Sequence, residues 1–337
     1  MAPALRRLRS LVSSRNAVRQ RPDRVELADA VLNGSRRALA RALTLVETGG
    51  PPARALLGAV FPHTGRAHIV GLTGAPGVGK STLATALALH WRRAGRTVGI
   101  VAVDPTSPFS GGAILGDRIR MQALSGDPGV FIRSMANRGR LGGIARATGD
   151  AVLLLDAAGF DVVLVETVGA GQDEVEIAAA AHTTIVIEIP GAGDDVQTIK
   201  AGILEIADLL VVNKADREGA DVTVRQLRAM LNLSDLSGAG WTPPVLAAVA
   251  ASGEGIEAIA AAAAHHLEYL RVSGRFADDT RKRAEYELRV ALQETALERA
   301  QSDRAGWKTL VAQIASRAID PYAAAEHLLN TPGNVAM

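Results

Sequence analysis

The run Gly74-Ala75-Pro76-Gly77-Val78-Gly79-Lys80-Ser81 completes a G-x-x-x-x-G-K-[ST] pattern and dictates the local fold on both sides. Glycine-rich backbone of this kind curls until successive N–H groups point inward, a concavity suited to phosphate oxygens. It works at a strand-to-helix junction, where the helix N-terminus adds its own amides and dipole. The flanks agree. Ala67 to Thr73 is a short apolar run, and Ser81 to Ala94 carries helical spacing with Leu83, Leu87 and Trp91 on one side. In such a loop Lys80 carries a cation to the β- and γ-phosphates, and Ser81 offers a hydroxyl to Mg²⁺. Thr82 opens the helix beside them. Only five of the 37 Lys and Arg are Lys, so a lysine at position 80 in so Arg-rich a chain suggests that arginine would not serve.

Around this loop the chain divides by pattern. Residues 25–60 have helical periodicity, through Leu27, Val31, Leu39, Leu43 and Val46, and end in Gly49-Gly50-Pro51-Pro52. Residues 61–272 alternate apolar runs with helical stretches, which predicts a P-loop α/β domain: a mostly parallel sheet with helices on both faces. After the first strand, strands are expected at Thr97–Val103, Val130–Ser134, Asp161–Thr167, Thr183–Ile189, Leu209–Asn213 and Val245–Val249. Residues 273–337 lack strand signals. Helices are expected over Asp278–Arg304 and Trp307–Arg317, and a last one from Asp320-Pro321, an N-cap followed by proline. These terminal helices need a surface for their apolar faces, and a homodimer built through the C-terminal arm is one solution.

Composition narrows the class. A chain of 337 residues, 48% hydrophobic, can bury a large core. A net charge of +2 is too small to suggest nucleic acid. The absence of cysteine excludes disulfides, cysteine metal sites and thiol catalysis. No apolar run approaches 18 residues, so no membrane helix is expected. Residues 1–24 hold Arg6, Arg7, Arg9, Arg15, Arg19, Arg21 and Arg24 against Asp23. That segment reads as a basic, disordered leader on a cytoplasmic protein; the alternative is a mitochondrial presequence and a matrix location. His265-His266, after an Ala-rich stretch, reads as a solvated helix end.

Ligands of open α/β sheets bind beyond the carboxyl ends of the strands, so those ends should hold the chemistry. The expected strand Asp161–Thr167 runs into Glu166-Thr167-Val168-Gly169, at the place of a D-x-x-G motif, with glutamate for aspartate. A carboxylate there suits the Mg²⁺ shell, and the Gly169 amide suits the γ-phosphate. Asp104 ends the second strand and faces the phosphate loop; Asp117 follows on a glycine-rich segment as a second metal-facing carboxylate. Lys80, Asp104, Asp117, Glu166 and Gly169 are thus the candidate catalytic group, and Ser81, Asp104, Asp117 and Glu166 the candidate metal ligands. Asn213-Lys214-Ala215-Asp216 follows the apolar run Leu209–Val212. Asp216 can accept two hydrogen bonds from guanine N1–H and the 2-amino group, a pattern adenine lacks. A buried carboxylate left unpaired with ATP would cost about 1–3 kcal/mol. The last strand leads into Val249-Ala250-Ala251, where a backbone N–H can reach guanine O6.

With these segments in hand, the chain resembles the methylmalonyl-CoA mutase-associated GTPases, the MeaB/ArgK group of P-loop proteins. The resemblance spans roughly residues 25 to 330. It rests on Gly74–Thr82, Val103–Pro108, Gly111–Asp117, Glu166–Glu174, Pro190–Gln197 and Asn213–Asp216. The Glu166 and Pro190 segments are particular to that family. The resemblance implies a homodimeric, Mg²⁺-dependent GTPase with GTP or GDP as bound nucleotide. Its partner would be an adenosylcobalamin-dependent acyl-CoA mutase, whose cofactor loading it gates and which it protects from inactivation. It also implies that Arg120 and Lys200 sit on switch loops, and that Gly191–Lys200 is a third, family-specific switch.

Two departures stand out. The guanine-closing pair, usually Ser-Ala, aligns with Val249-Ala250, so a hydroxyl supporting Asp216 is missing. Gln172 lies three residues beyond Gly169 and is not assigned a water-orienting role. No arginine is placed as a finger in cis, so slow intrinsic hydrolysis is expected. The loops 104–120 and 168–174 are expected to order around the γ-phosphate and relax on hydrolysis. The alternatives weighed are a metallocentre-assembly GTPase, disfavoured by the lack of Cys and of His-rich tracts, and a transport-system-associated kinase.

Overall fold

Every strand expected from an apolar run forms, and all seven join one parallel sheet. The computed structural model describes residues 22–104, 121–136, 143–167, 180–191, 205–233 and 240–330. They divide into a unit ending at Val272 and a second beginning at Ser273.

The first unit opens with α1 (Pro22–Leu32), α2 (Arg36–Thr48) and α3 (Pro51–Val60). Then follow β1 (His68–Thr73), α4 (Lys80–Arg93), β2 (Val98–Asp104), β3 (Val130–Ala136), α5 (Gly143–Ala157) and β4 (Val162–Thr167). It closes with β5 (Thr183–Glu188), β6 (Leu209–Asn213), α6 (Ala220–Leu233), β7 (Val245–Ala248) and α7 (Ile256–Val272). The sheet order is β3-β2-β4-β1-β5-β6-β7, so the strand leading into the phosphate loop is central. Register places Leu72 opposite Glu166 on one side, and Thr73 opposite Val186 on the other.

The strands carry side chains to both faces because both are covered. On one face Val70, Leu72, Ile100 and Leu164 pack with Leu83 and Leu87 of α4 and Ile259 and Ala263 of α7. On the other, Val101, Val163 and Val165 pack with Ala151 and Leu154 of α5, in one cluster with Leu39, Leu43 and Leu56 of the N-terminal helices. Polar ties fix that second layer. Arg36 donates to the carbonyls of Pro128 at 2.8 Å and Val130 at 2.6 Å, with its guanidinium over the Phe131 ring. Arg133 pairs with Glu47 at 2.7 Å. Asp156, near the end of α5, accepts the amides of Gly65, Arg66 and Ala67 and sets the entry into β1.

Two readings change. The Gly49-Gly50-Pro51-Pro52 run separates two helices rather than closing the helical segment. Positive φ at Gly49 (71°) and Gly50 (84°) turns the chain, and the prolines start α3. Proline suits a first helical turn, whose N–H groups lack intrahelical acceptors. The His265-His266 pair is not simply a solvated end: His265 is exposed, but His266 is only 2% exposed and lies in the core.

The second unit holds α8 (Arg275–Ser302), α9 (Arg304–Ala315) and α10 (Pro321–Asn330). Asp303 caps α9 through the Gly306 amide at 3.0 Å. Asp320 caps α10, as its sequence suggests, accepting the amides of Tyr322 and Ala323. Along α8, Tyr286, Leu288, Leu292 and Leu297 are exposed. Among the described residues no helix is long and apolar enough to cross a membrane.

Candidate functional site

At the carboxyl ends of the central strands, the phosphate loop takes a backbone open almost only to glycine. Gly74, Gly77 and Gly79 have φ of 141°, 81° and 98°. At two of these, space is also decisive. A Cβ on Gly74 would run into the Ile187 carbonyl on β5, and one on Gly79 into the Asn213 carboxamide. Val78 is buried and pins the loop, while Ala75, Pro76 and Gly77 are exposed. Helix α4 starts at Lys80, so the amides of Ser81 and Thr82 have no intrahelical acceptor and face outward at its positive end.

Lys80 is 6% exposed, and its Nζ donates to the carbonyls of Gly74 at 2.6 Å and Ala75 at 2.9 Å. The ammonium is therefore held within the loop before any phosphate arrives. Ser81 Oγ donates to Glu166 Oε1 at 2.5 Å. Glu166, on β4, is 7% exposed. Hydroxyl and carboxylate are 85 positions apart in sequence and meet because β4 lies beside β1 in the register that sets Leu72 against Glu166. Asp104 is the last residue of β2, two positions beyond Ala102, which pairs with Glu166. Asp117, Arg120, Gly169, Gln172, Lys200 and residues 105–120, 168–174 and 192–200, where switch loops are expected, lie outside the described residues.

The base side is built around Asn213. Its Nδ2 donates to the Val78 carbonyl at 2.8 Å, and its Oδ1 accepts the Ala250 amide at 3.1 Å. It is a buried strut between phosphate loop and closing loop. Lys214 has φ of 56°, and its Nζ donates to the Gly77 carbonyl at 2.8 Å, laying the side chain along the loop. Asp216 is exposed and makes no hydrogen bond or ion pair among the described residues, which leaves its carboxylate open to a ligand.

In the closing loop the Val249 amide is taken by the Glu254 carbonyl and the Ala250 amide by Asn213. The Ala251 amide is the next along, on an exposed residue, with no acceptor among the described residues. The first amide of this loop without an acceptor among the described residues thus falls one residue after the Val249-Ala250 pair. Nothing in sequence spacing signals this, because it depends on which amide Asn213 consumes.

A glycine-rich loop with an internally held lysine, a hydroxyl–carboxylate pair at its helix start and an N-K-x-D strut define a P-loop nucleotide-binding protein of the guanine-specific class. Comparison with known proteins agrees. The family model described as Methylmalonyl Co-A mutase-associated GTPase MeaB matches residues 39–305, and the chain belongs to this family. A Pyrococcus horikoshii protein named as a GTPase is 48% identical over 306 residues, covering 90% of this chain and 96% of that one. GTPase ArgK of Escherichia coli is 39% identical over 271 residues, covering 78% of this chain and 82% of its own length. A crystal structure of a LAO/AO transport system kinase superposes with a TM-score of 0.69 at 28% identity, covering 90% of this chain and 96% of that one. The protein is a GTPase.

Proposed function

We propose that the protein uses GTP hydrolysis to act as a chaperone of an adenosylcobalamin-dependent acyl-CoA mutase, with methylmalonyl-CoA mutase as client. It gates cofactor loading and protects the mutase from inactivation. The client follows the name of the family to which the chain belongs. One observation carries the nucleotide half of the reading: the strut from Asn213 to Val78 and Ala250 holds phosphate loop and closing loop together, with Asp216 open beside them.

In this reading loop amides and Lys80 receive the β- and γ-phosphates, Asp216 reads guanine N1–H and the 2-amino group, and the Ala251 amide reads O6. Ser81 and Glu166 suit Mg²⁺, since hard oxygen donors already lie 2.5 Å apart at the helix start. Asp104 and Asp117 join them as carboxylates around metal and water, and the Gly169 amide meets the γ-phosphate. The ion would neutralise charge on the bridging phosphate oxygens. Protein groups do the rest by positioning: the loop fixes the phosphates and Lys80 neutralises their charge. The working form is a cytoplasmic homodimer joined through the C-terminal arm, where α8 offers Leu288 and Leu292.

The experiment is a pull-down from native lysate, first with GDP and then with a non-hydrolysable GTP analogue. Nucleotide-dependent recovery of a cobalamin-dependent mutase supports the reading. Recovery of a nickel enzyme overturns it in favour of metallocentre assembly.

A further inference from the structure

At the amino ends of the strands, away from the nucleotide site, three buried side chains and a partly exposed carboxylate, from four separate segments, form one hydrogen-bonded run. Asp208, just before β6, has Oδ1 3.3 Å from His266 Nε2 on α7. His266 Nδ1 is 3.0 Å from Thr183 Oγ1 at the start of β5. The same hydroxyl is 2.9 Å from His68 Nε2 at the start of β1. His68, Thr183 and His266 are all buried. Asp208 is itself held, with Oδ2 accepting the Thr184 amide at 2.7 Å and its carbonyl accepting Trp241 Nε1 at 2.9 Å. The Trp241 ring lies against His266 with centroids 4.7 Å apart.

We propose that His266 is held as an imidazolium and that hydrogens run in one direction, from His266 through Thr183 to His68, as a proton-held brace clamping α7 onto the sheet. Two neighbours favour the cation: the Asp208 carboxylate, and the Trp241 ring, tilted by 49° to the imidazole at a centroid distance of 4.7 Å. The direction follows from the hydroxyl, which has a single hydrogen to give. When His266 Nδ1–H donates to Thr183, the threonine hydrogen goes to His68 Nε2, and His68 carries its own proton on Nδ1. When His266 is neutral, with its hydrogen on Nε2 toward Asp208, the order reverses. Thr183 then donates to His266, and His68 donates from Nε2. One proton on His266 thus sets the tautomer of His68 across an intervening residue.

A second proton does not fit. It would aim two donors at Thr183 and leave the threonine hydrogen without an acceptor. Burial, followed by the positive charge of His266, Arg271 and Arg96, pushes His68 down to about 3, which keeps it neutral. The other titratable groups facing the run leave this order intact. His182, before β5, accepts the Ile69 amide at Nδ1 and stacks on His68. His265 and Tyr269, on α7, lie against Trp241, and the Tyr269 ring also stacks on His266 with centroids 6.3 Å apart. The brace grips α7 near its carboxyl end, and the same helix begins at Ile256, just past the closing loop of the base site. Loss of the proton removes a charge-assisted bond and loosens this end of the helix.

The test is long-range ¹H–¹⁵N spectroscopy of the histidine rings in the full-length chain across a pH series. Expected at neutral pH are two protonated ring nitrogens on His266 and the Nδ1–H tautomer on His68. As His266 loses its proton, His68 switches to Nε2–H in the same step. Amide exchange over the last two turns of α7, corrected for its intrinsic pH dependence, rises several-fold in that step. A neutral His266 at neutral pH, or a His68 tautomer that ignores the His266 transition, overturns the proposal. Asp208→Asn is expected to give neutral His266 and Nε2–H His68 already at neutral pH. Thr183→Val keeps the side-chain volume and is expected to leave His266 charged while uncoupling His68. Should His68 still follow His266 in that variant, the hydroxyl relay is wrong.

Discussion

The carboxamide of Asn213 donates to the carbonyl of Val78 at 2.8 Å across 135 positions of sequence, fastening the end of β6 to the phosphate loop. Its other end accepts the Ala250 amide. Asn213 therefore shapes both halves of the site from beneath. Asn213→Ala leaves a buried carbonyl and a buried amide without their partner, a cost of roughly 1–3 kcal/mol. The expected outcome is a lower thermal midpoint, with GDP and GTP weakened alike and the preference among bases retained. Calorimetric titration checks it. A variant that binds GDP as tightly as the parent would remove the strut.

Lys80 behaves differently. Its ammonium is itself buried and is held by the buried carbonyl of Gly74 and the partly buried carbonyl of Ala75. Lys80→Ala leaves the buried Gly74 carbonyl without its donor and should lower stability by roughly 1–3 kcal/mol while the chain stays folded. GTP turnover should fall by on the order of 10²-fold or more, the usual consequence of deleting a preorganised cation. Thermal melts and a phosphate-release assay together distinguish this from unfolding.

These two residues mark how far the sequence reached. Lys80 bonds within a few residues of itself, to Gly74 and Ala75, so its place in the loop is legible from the loop pattern. The strands were legible for a related reason. Parallel strands covered on both faces are continuous apolar runs, and their ends shifted by only a residue or two from those expected. Asn213 opens the sequence motif read for guanine, yet its partners are Val78 and Ala250, which depend on sheet register. The same reason explains why His266 read as solvated. Its partners, Thr183 and Asp208, come from other segments, and periodicity on one helix cannot report them. Pro51-Pro52 was misread because proline both ends and begins helices, and only packing against α5 decides between them.

Asp216 has no protein partner among the described residues, so its carboxylate is available for two guanine donors. Asp216→Asn replaces one acceptor with a donor and should suit xanthine, which presents a carbonyl at position 2. The expected result is weaker GTP binding by about 1–3 kcal/mol with XTP binding improved. Competition between the two nucleotides reads it directly. Unchanged GTP preference would sink the guanine assignment for this carboxylate.

His68 gives a pH dependence whose sign can be worked out. Burial is the chief reason its pKa falls from 6.5 to about 3 in the folded protein. The unfolded chain therefore binds a proton that the folded chain refuses between those values. Stability from this residue is fully present above about pH 6.5 and is lost as pH falls toward 3, with a limiting slope of about 1.4 kcal/mol per pH unit. A basic group with a lowered pKa behaves here like a buried neutral base, and the loss lies on the acid side. His68→Asn keeps a polar side chain of similar reach and cannot take up a proton. Denaturant midpoints measured near pH 5 and near pH 7 should fall steeply on the acid side for wild type and less steeply for the variant. Parallel profiles for the two proteins would show that His68 is not the group whose protonation opens the fold.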